Sequence, residues 1–211
     1  MNSAVRHFSV APGIAPDDFR GAMRHLTGGV SVITAGRGSE ITGMTVTSVA
    51  SLSVEPATLI VSINREASSW PLVKRLGFFG VNILAAGQIE VAERFTGKGG
   101  LKGADRFAGA QWITRVSGVP LLAGALAAID CAVEEIVERH SHAIVIGRVL
   151  DIVSSGHTAA LAYWQAAMSP STRTKMPQGW RKSAFRWPAP GASRAPSGVR
   201  SKSPRALPGC R

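Results

Sequence analysis

A few short runs of this 211-residue chain carry side chains able to hold a ligand. Thr45-Val46-Thr47-Ser48 sets hydroxyls and backbone N–H groups in a row beside an apolar side chain, donors suited to the edge of a flat ring or to an anion. The same residues also suit the polar face of an ordinary strand. Ser62 and Arg65 lead into Ala67-Ser68-Ser69-Trp70-Pro71, where proline fits the first turn of a helix. Free N–H groups at such a turn attract anions, and Ser68 or Ser69 can add a hydroxyl; an N-cap at Ser69 would use the same residues without a ligand. Asn82, in the run FFGVNIL with Phe79, must find partners once buried, whether a neighbouring backbone or a ligand. Arg94 and Phe95 close the run AERF, where the helix dipole alone favours arginine. His142 opens the apolar run AIVIGRV at a sheet end, a place where binding residues gather.

Several chemistries are excluded by spacing. The glycines at 36–38 and 97–103 do not form GxGxxG between a strand and a helix, so a Rossmann dinucleotide site is absent. TGKGG at 96–100 lacks the spacing and the terminal Ser or Thr of a P-loop. His140 and His142 would share a strand face, but no third ligand accompanies them, so no metal site is expected. No GxSxG nucleophile elbow occurs. Cys131 and Cys210 do not make a disulfide framework.

The elements that must position these residues are mostly strands. Residues 15–26 place Phe19, Ala22, Met23 and Leu26 at helical spacing after Pro16, with Asp17 and Asp18 near the positive dipole end, and predict a helix. VSVIT at 30–34, a second strand through 43–49, TLIVSIN at 58–64, FFGVNIL at 78–84, 126–137 and 142–153 read as strands. Residues 69–76 and 88–95 read as short helices. Strands without regular helix alternation argue for an antiparallel barrel or sandwich over a doubly wound sheet.

Charge divides the chain. Residues 1–168 hold 14 Lys+Arg against 13 Asp+Glu, whereas 169–211 hold 10 Lys+Arg, no acid and 7 of the 12 prolines. The expected organisation is an N-terminal arm at 1–14, a domain at 15–168 and a disordered basic tail at 169–211. Trp180, Phe185 and Trp187 could let that tail bind nucleic acid by charge and stacking, but motifs of this kind are weak and a nucleic-acid partner is not expected; an inert extension and the product of a shifted reading frame are the other readings. No apolar run is long enough to cross a bilayer and no secretory h-region precedes a cleavage site, so the expected location is the cytoplasm.

Read in order, DFRGAMRHLTGGVSVITA, GMTVTSVASLSVEPATLIVSIN, FFGVNILAAGQIEVAERF, RFAGAQW, GVPLLAGALAAIDCAV and HAIVIGRV resemble the successive signature stretches of the flavin reductase family over about residues 17–153. The resemblance implies a mainly β fold, a six-stranded antiparallel split β-barrel with a few short helices, paired as a homodimer. It implies NAD(P)H-dependent reduction of FMN or FAD for a separate monooxygenase, with NADH or NADPH as hydride donor. By that resemblance Thr45, Val46, Thr47 and Ser48 contact the flavin, Ser62, Ser68 and Ser69 belong to its phosphate region, and Phe79, Asn82, Arg94 and Phe95 lie near it. His142 matches the histidine where the nicotinamide approaches, although Arg139-His140-Ser141 replaces the family's preceding Gly-Asp. Hydride transfer between stacked rings needs orientation and electrostatics from the protein and no covalent catalyst. Two other functions remain open: a flavin-binding protein on the same barrel that is not a reductase, and a nucleic-acid-associated protein acting through the tail.

Overall fold

A computed structural model describes residues 13–171. Most of the expected arm at 1–14, and the chain from 172 onward with Trp180, Phe185, Trp187 and Cys210, lie outside the described residues.

Helix α1 spans Pro16–Met23. Strands β1 (Gly28–Gly29), β2 (Ser31–Arg37), β3 (Glu40–Val46), β4 (Val49–Val54) and β5 (Ala57–Asn64) follow, then α2 (Trp70–Leu76), β6 (Phe78–Ile83) and α3 (Ile89–Arg94). Two 3₁₀ turns, Lys98–Gly100 and Gly103–Phe107, precede β7 (Trp112–Ile113) and β8 (Leu121–Leu122). The long pair β9 (Ala127–Arg139) and β10 (His142–Ser154) comes next, then β11 (Ala160–Trp164) and β12 (Ala167–Ser171). The protein is mainly β, and its paired strands are antiparallel.

The principal sheet has seven strands in the order β3-β2-β6-β9-β10-β5-β4, one more than the six expected. The extra strand arises where a single run was expected through 43–49: pairing stops after Val46 and resumes at Val49 on a different partner, β5 instead of β2. Thus β3 and β4 are the two margins of the sheet, yet only Thr47-Ser48 separates them in the chain. Such a link spans roughly 10 Å when extended, so the sheet must curl until its margins meet there. Register shifts at Ile146/Gly147 and Val149/Asp151 in the β9–β10 pair, and at Ser51/Ser53 in β4–β5, supply bends of the kind that curling requires.

Two apolar clusters back this sheet. One gathers Ile33, Ala35, Val61, Ile63, Trp70, Val73, Phe79, Val81, Cys131, Ala143 and Val145; the other gathers Val30, Val32, Leu84, Phe95, Phe107, Leu121, Ala128 and Leu161. Ile33 and Val32 fall in opposite clusters because adjacent strand residues face opposite sides, so β2 is covered on both. Phe79 is wholly buried, and a Cβ at Gly147 would collide with its ring edge. Burial, with the Asp130 carboxylate second, pushes the Cys131 thiol up to about 12, so it stays protonated and acts as a small apolar side chain.

Three boundaries differ from the sequence reading. Helix α1 ends at Met23, short of residue 26, and buries none of its residues, leaving Phe19, Met23 and Leu26 exposed. Residues 160–164 form β11, and 169–171 belong to β12 and not to a tail, because pairing with β11 (Ala160↔Ser171 through Trp164↔Ala167) uses backbone groups and needs no apolar pattern. Phe79→Ala should therefore lower unfolding free energy by about 3–5 kcal/mol in urea titrations, because it empties the core against Gly147.

Candidate functional site

Curling the sheet opens a groove of about 410 Å³ at the meeting of its margins. Met44 to Ser48, the end of β3 and its link, form one side. Ser62 and Asn64 of β5 form the second, with His142, which pairs directly with Asn64 at the start of β10. Thr96, just beyond α3, and Val30 contribute to the wall. Tyr163 of β11 and Met168 of β12 are cross-strand partners and complete it. The alternation of β5 puts Ser62 and Asn64 on one face, a signal that could have found Asn64 beside Ser62. Nothing local to Tyr163, Met168 or Thr96 marks them in the sequence.

The hydroxyls of the groove divide into those already engaged and those available. Thr45 Oγ1 donates to the Ala92 carbonyl at 2.5 Å, and its N–H donates to the Phe95 carbonyl at 3.1 Å, fixing α3 to β3. Ser48 Oγ donates to the Ser62 carbonyl at 2.8 Å and ties the link to β5 across the seam. Thr47 and Ser62 make no side-chain hydrogen bond among the described residues, so their hydroxyls can serve a ligand. With Val30, Met44, Val46 and Met168 supplying apolar surface, the groove offers what a flat heteroaromatic ring needs.

His142 stands beside Ser141, whose hydroxyl lies 2.8 Å from the ring Nδ1. The tight turn carrying both is braced by Arg65. Its N–H donates to the Ser141 carbonyl at 3.0 Å, its guanidinium to the His140 carbonyl at 3.1 Å, and a second guanidinium nitrogen meets Glu138 at 2.9 Å. Lys74 of α2 reaches the same carboxylate at 2.8 Å. Arg65 is thus committed to the hairpin.

Ser68 and Ser69 do not line the groove. Ser68 Oγ meets Thr42 Oγ1 at 3.2 Å, three residues before Thr45 and so about 10 Å along the strand. Arg106 reaches the same hydroxyl at 3.4 Å, while donating to the Gly43 carbonyl at 2.5 Å and the Leu101 carbonyl at 3.0 Å. No carboxylate pairs with this guanidinium among the described residues. Ser69 sits before α2 but does not cap it: its Oγ is buried with no partner among the described residues. The Ser68 hydroxyl beside a guanidinium without a carboxylate partner suits a phosphate. Arg106 was not singled out in the sequence, where it appeared only inside RFAGAQW.

The remaining candidates are elsewhere. Phe79 is core. Asn82 is buried and satisfied, donating to the Val32 carbonyl at 3.0 Å and accepting from the Leu122 N–H at 2.6 Å, so it braces backbone. Phe95 is buried against Phe107 and Trp112, with ring centroids 5.0 and 5.6 Å away, and meets the groove wall only through its carbonyl to Thr45. Arg94 donates to the carbonyls of Asp105 at 2.5 Å and Arg106 at 3.1 Å and borders a neighbouring cavity. No group of three or more potential metal ligands occurs among the described residues.

Residues 23–172 match the model of the flavin reductase like domain, and the chain belongs to that family. It is 37% identical over 146 residues to the FMN reductase (NADH) RutF of Cronobacter turicensis, a match covering 69% of this chain and 87% of that protein. Among solved structures it is similar to BorF, the flavin reductase component of a bacterial two-component tryptophan halogenase, with TM-score 0.69, 28% identity, and coverage of 76% of this chain and 100% of BorF. It is also similar to the NADH:FAD oxidoreductase SgcE6 of Streptomyces globisporus, with TM-score 0.69 and 28% identity over 79% of this chain and 100% of that one.

The hydrogen bond from Lys74, and after it the charge of Arg65, hold the Glu138 carboxyl below its ordinary value of 4.5. A lowered carboxylate contributes stability that is complete above 4.5 and is lost as pH falls through the depressed value. Acid titration followed by hydrogen exchange should show the 139–142 turn loosening in that acidic window, and Glu138→Gln should remove this part of the pH dependence.

Proposed function

We propose that this chain is an NADH-dependent flavin reductase that takes FMN in the seam groove and passes reduced flavin to a partner monooxygenase. The observation that carries the reading is the groove: apolar walls, two unengaged hydroxyls at Thr47 and Ser62, and His142 at one rim, in a chain of the flavin reductase family. A bound flavin supplies the ring that accepts hydride from the dihydronicotinamide. The protein's part is to hold that ring by one face and leave the other open to the donor. Thr47 and Ser62 donate to its polar edge, Val46 and Met44 back it, and Thr45 and Ser48, engaged internally, keep the wall rigid. The Ser68, Ser69 and Arg106 cluster, about 10 Å along β3, takes the phosphate. His142, oriented through Ser141, borders the donor's position.

Counting the bent run 40–54 as one strand turns the seven strands into six, and we read the architecture as the split barrel of the family. The exposed apolar side chains Phe19, Met23 and Leu26 of α1 and its end, with Leu52, Val54 and Ile152 on the sheet, support a homodimer in which a second copy covers them. No helix among the described residues is long and apolar enough to cross a membrane, and we place the protein in the cytoplasm.

Purified protein should oxidise NADH only when FMN is added, or carry yellow flavin; neither at saturating FMN would remove the reading, and flavin binding without NADH consumption would leave a non-reductase flavin protein. His142→Ala should lower kcat/KM for NADH about tenfold, a loss of about 1.4 kcal/mol, while FMN affinity measured by fluorescence quenching changes far less.

A further inference from the structure

The hairpin of β11 and β12 stands apart from the principal sheet: β11 lies between β1 and β12 in a separate three-stranded sheet. Its base is fixed. Leu161 is wholly buried in the core, accepts from the Val30 N–H at 2.9 Å and donates to the Leu84 carbonyl at 3.0 Å, and the Ala86 N–H donates to the Ala159 carbonyl at 2.9 Å. Two residues on, Tyr163 shares the inward face of Leu161, because strand side chains alternate, and with its cross-strand partner Met168 it lines the groove. Beyond this point the hairpin has little to hold it. Its neighbour β1 is only Gly28-Gly29, which offers no side chain to pack and turns freely at the backbone. Gly28 lies flush against the two-residue link, where a Cβ would stand 2.9 Å from that of Thr47. Among the described residues, one backbone hydrogen bond ties the tip to the rest of the protein, from the Gln165 N–H to the Arg24 carbonyl at 3.1 Å. Arg24 closes α1, a helix that buries none of its residues.

The turn itself opposes the closed form. A two-residue hairpin loop with both central residues at positive φ favours asparagine and glycine. Here those residues are Gln165 (φ 47°) and Ala166 (φ 64°), whose Cβ atoms crowd the carbonyl that follows. A firm base, a two-glycine neighbour and a strained, singly tied tip together favour local opening of 163–168 while Leu161 stays in place. We propose that the β11–β12 hairpin is a lid on the seam groove, hinged between Leu161 and Tyr163, and that its opening admits and releases the flavin. The inference rests on the reductase reading, in which a reduced flavin must leave at every turnover, and adds the step that sets the pace of that exchange. Tyr163 and Met168 are the lid's inner surface; Trp164, on the opposite face and 48% exposed, is its outer one.

Gln165→Asn combined with Ala166→Gly gives the turn the residues it favours, whereas Gln165→Pro removes the N–H that reaches Arg24 and cannot adopt a positive φ. Both are compared with wild type by stopped-flow FMN association, by FMN dissociation into an excess of a flavin-scavenging apoprotein, and by hydrogen exchange of the unliganded protein. In wild type the hydrogen-bonded amides of 163–168 should exchange about tenfold or more faster than that of Leu161. The double substitution should slow this exchange, and slow FMN association and dissociation alike by about fivefold, so that Kd barely moves. Gln165→Pro should speed all three; should it not fold, the double substitution decides alone. A fixed wall would instead alter dissociation and Kd and leave association untouched. The inference is overturned if the 163–168 amides exchange no faster than that of Leu161, or if the double substitution leaves the FMN association rate unchanged. FMN exchange that follows the lid in a protein that oxidises no NADH would sink the reductase reading and leave the lid standing.

Discussion

The structure depends on a two-residue link. Thr47 and Ser48 join strands that occupy opposite margins of one antiparallel sheet. A chain that short cannot cross a flat seven-strand sheet, whose neighbours lie nearly 5 Å apart, so the sheet has to roll up. Ser48 then fastens the seam by donating to the Ser62 carbonyl, and Thr45 fastens α3 to the same edge. The groove is the gap that remains between margins brought together without a continuous ladder between them. Fold closure and the groove are therefore one feature.

Around that gap the protein separates rigidity from reactivity. Side chains whose polar atoms are consumed internally, such as Thr45, Ser48, Asn82 and Arg65, set the geometry; Thr47, Ser62 and His142 remain available. The brace from Arg65 and Lys74 through Glu138 connects the His142 turn to β5 and α2, so three elements fix one rim residue. These pairs are partly exposed, and their value lies in position more than in stability. Hydride transfer between two stacked rings calls on the protein chiefly for orientation, since holding reactants in place can remove about 7–11 kcal/mol of barrier.

Much of this was legible in the sequence. The six matching stretches carried the family, and the strands at 58–64, 78–84, 126–137 and 142–153 were found within a few residues because β-branched runs bounded by turn residues report pairing locally. Thr45 to Ser48, Ser62 and His142 do converge on one groove. Phe79 and Asn82 do not, since an apolar run with one amide looks the same whether that amide meets a ligand or, as here, the backbone of a neighbouring strand. Arg106 and Thr96 carry no local mark, because an isolated polar residue in a loop has no periodicity to set it apart, whereas Asn64 shares the period-two face of Ser62.

By itself the sequence determined the antiparallel, mainly β character, the absence of Rossmann and P-loop phosphate sites, and the concentration of basic charge after residue 168. These are matters of local pattern and composition. Tertiary structure alone decided that the run expected at 43–49 breaks at Thr47, that residues 160–171 return as a hairpin to place Tyr163 and Met168 over the groove, and that Arg106 reaches Ser68. The hairpins themselves are local, but their meeting at the groove depends on distant pairings such as Gly28 with Tyr163 and Asn64 with His142, which the residues next door do not report.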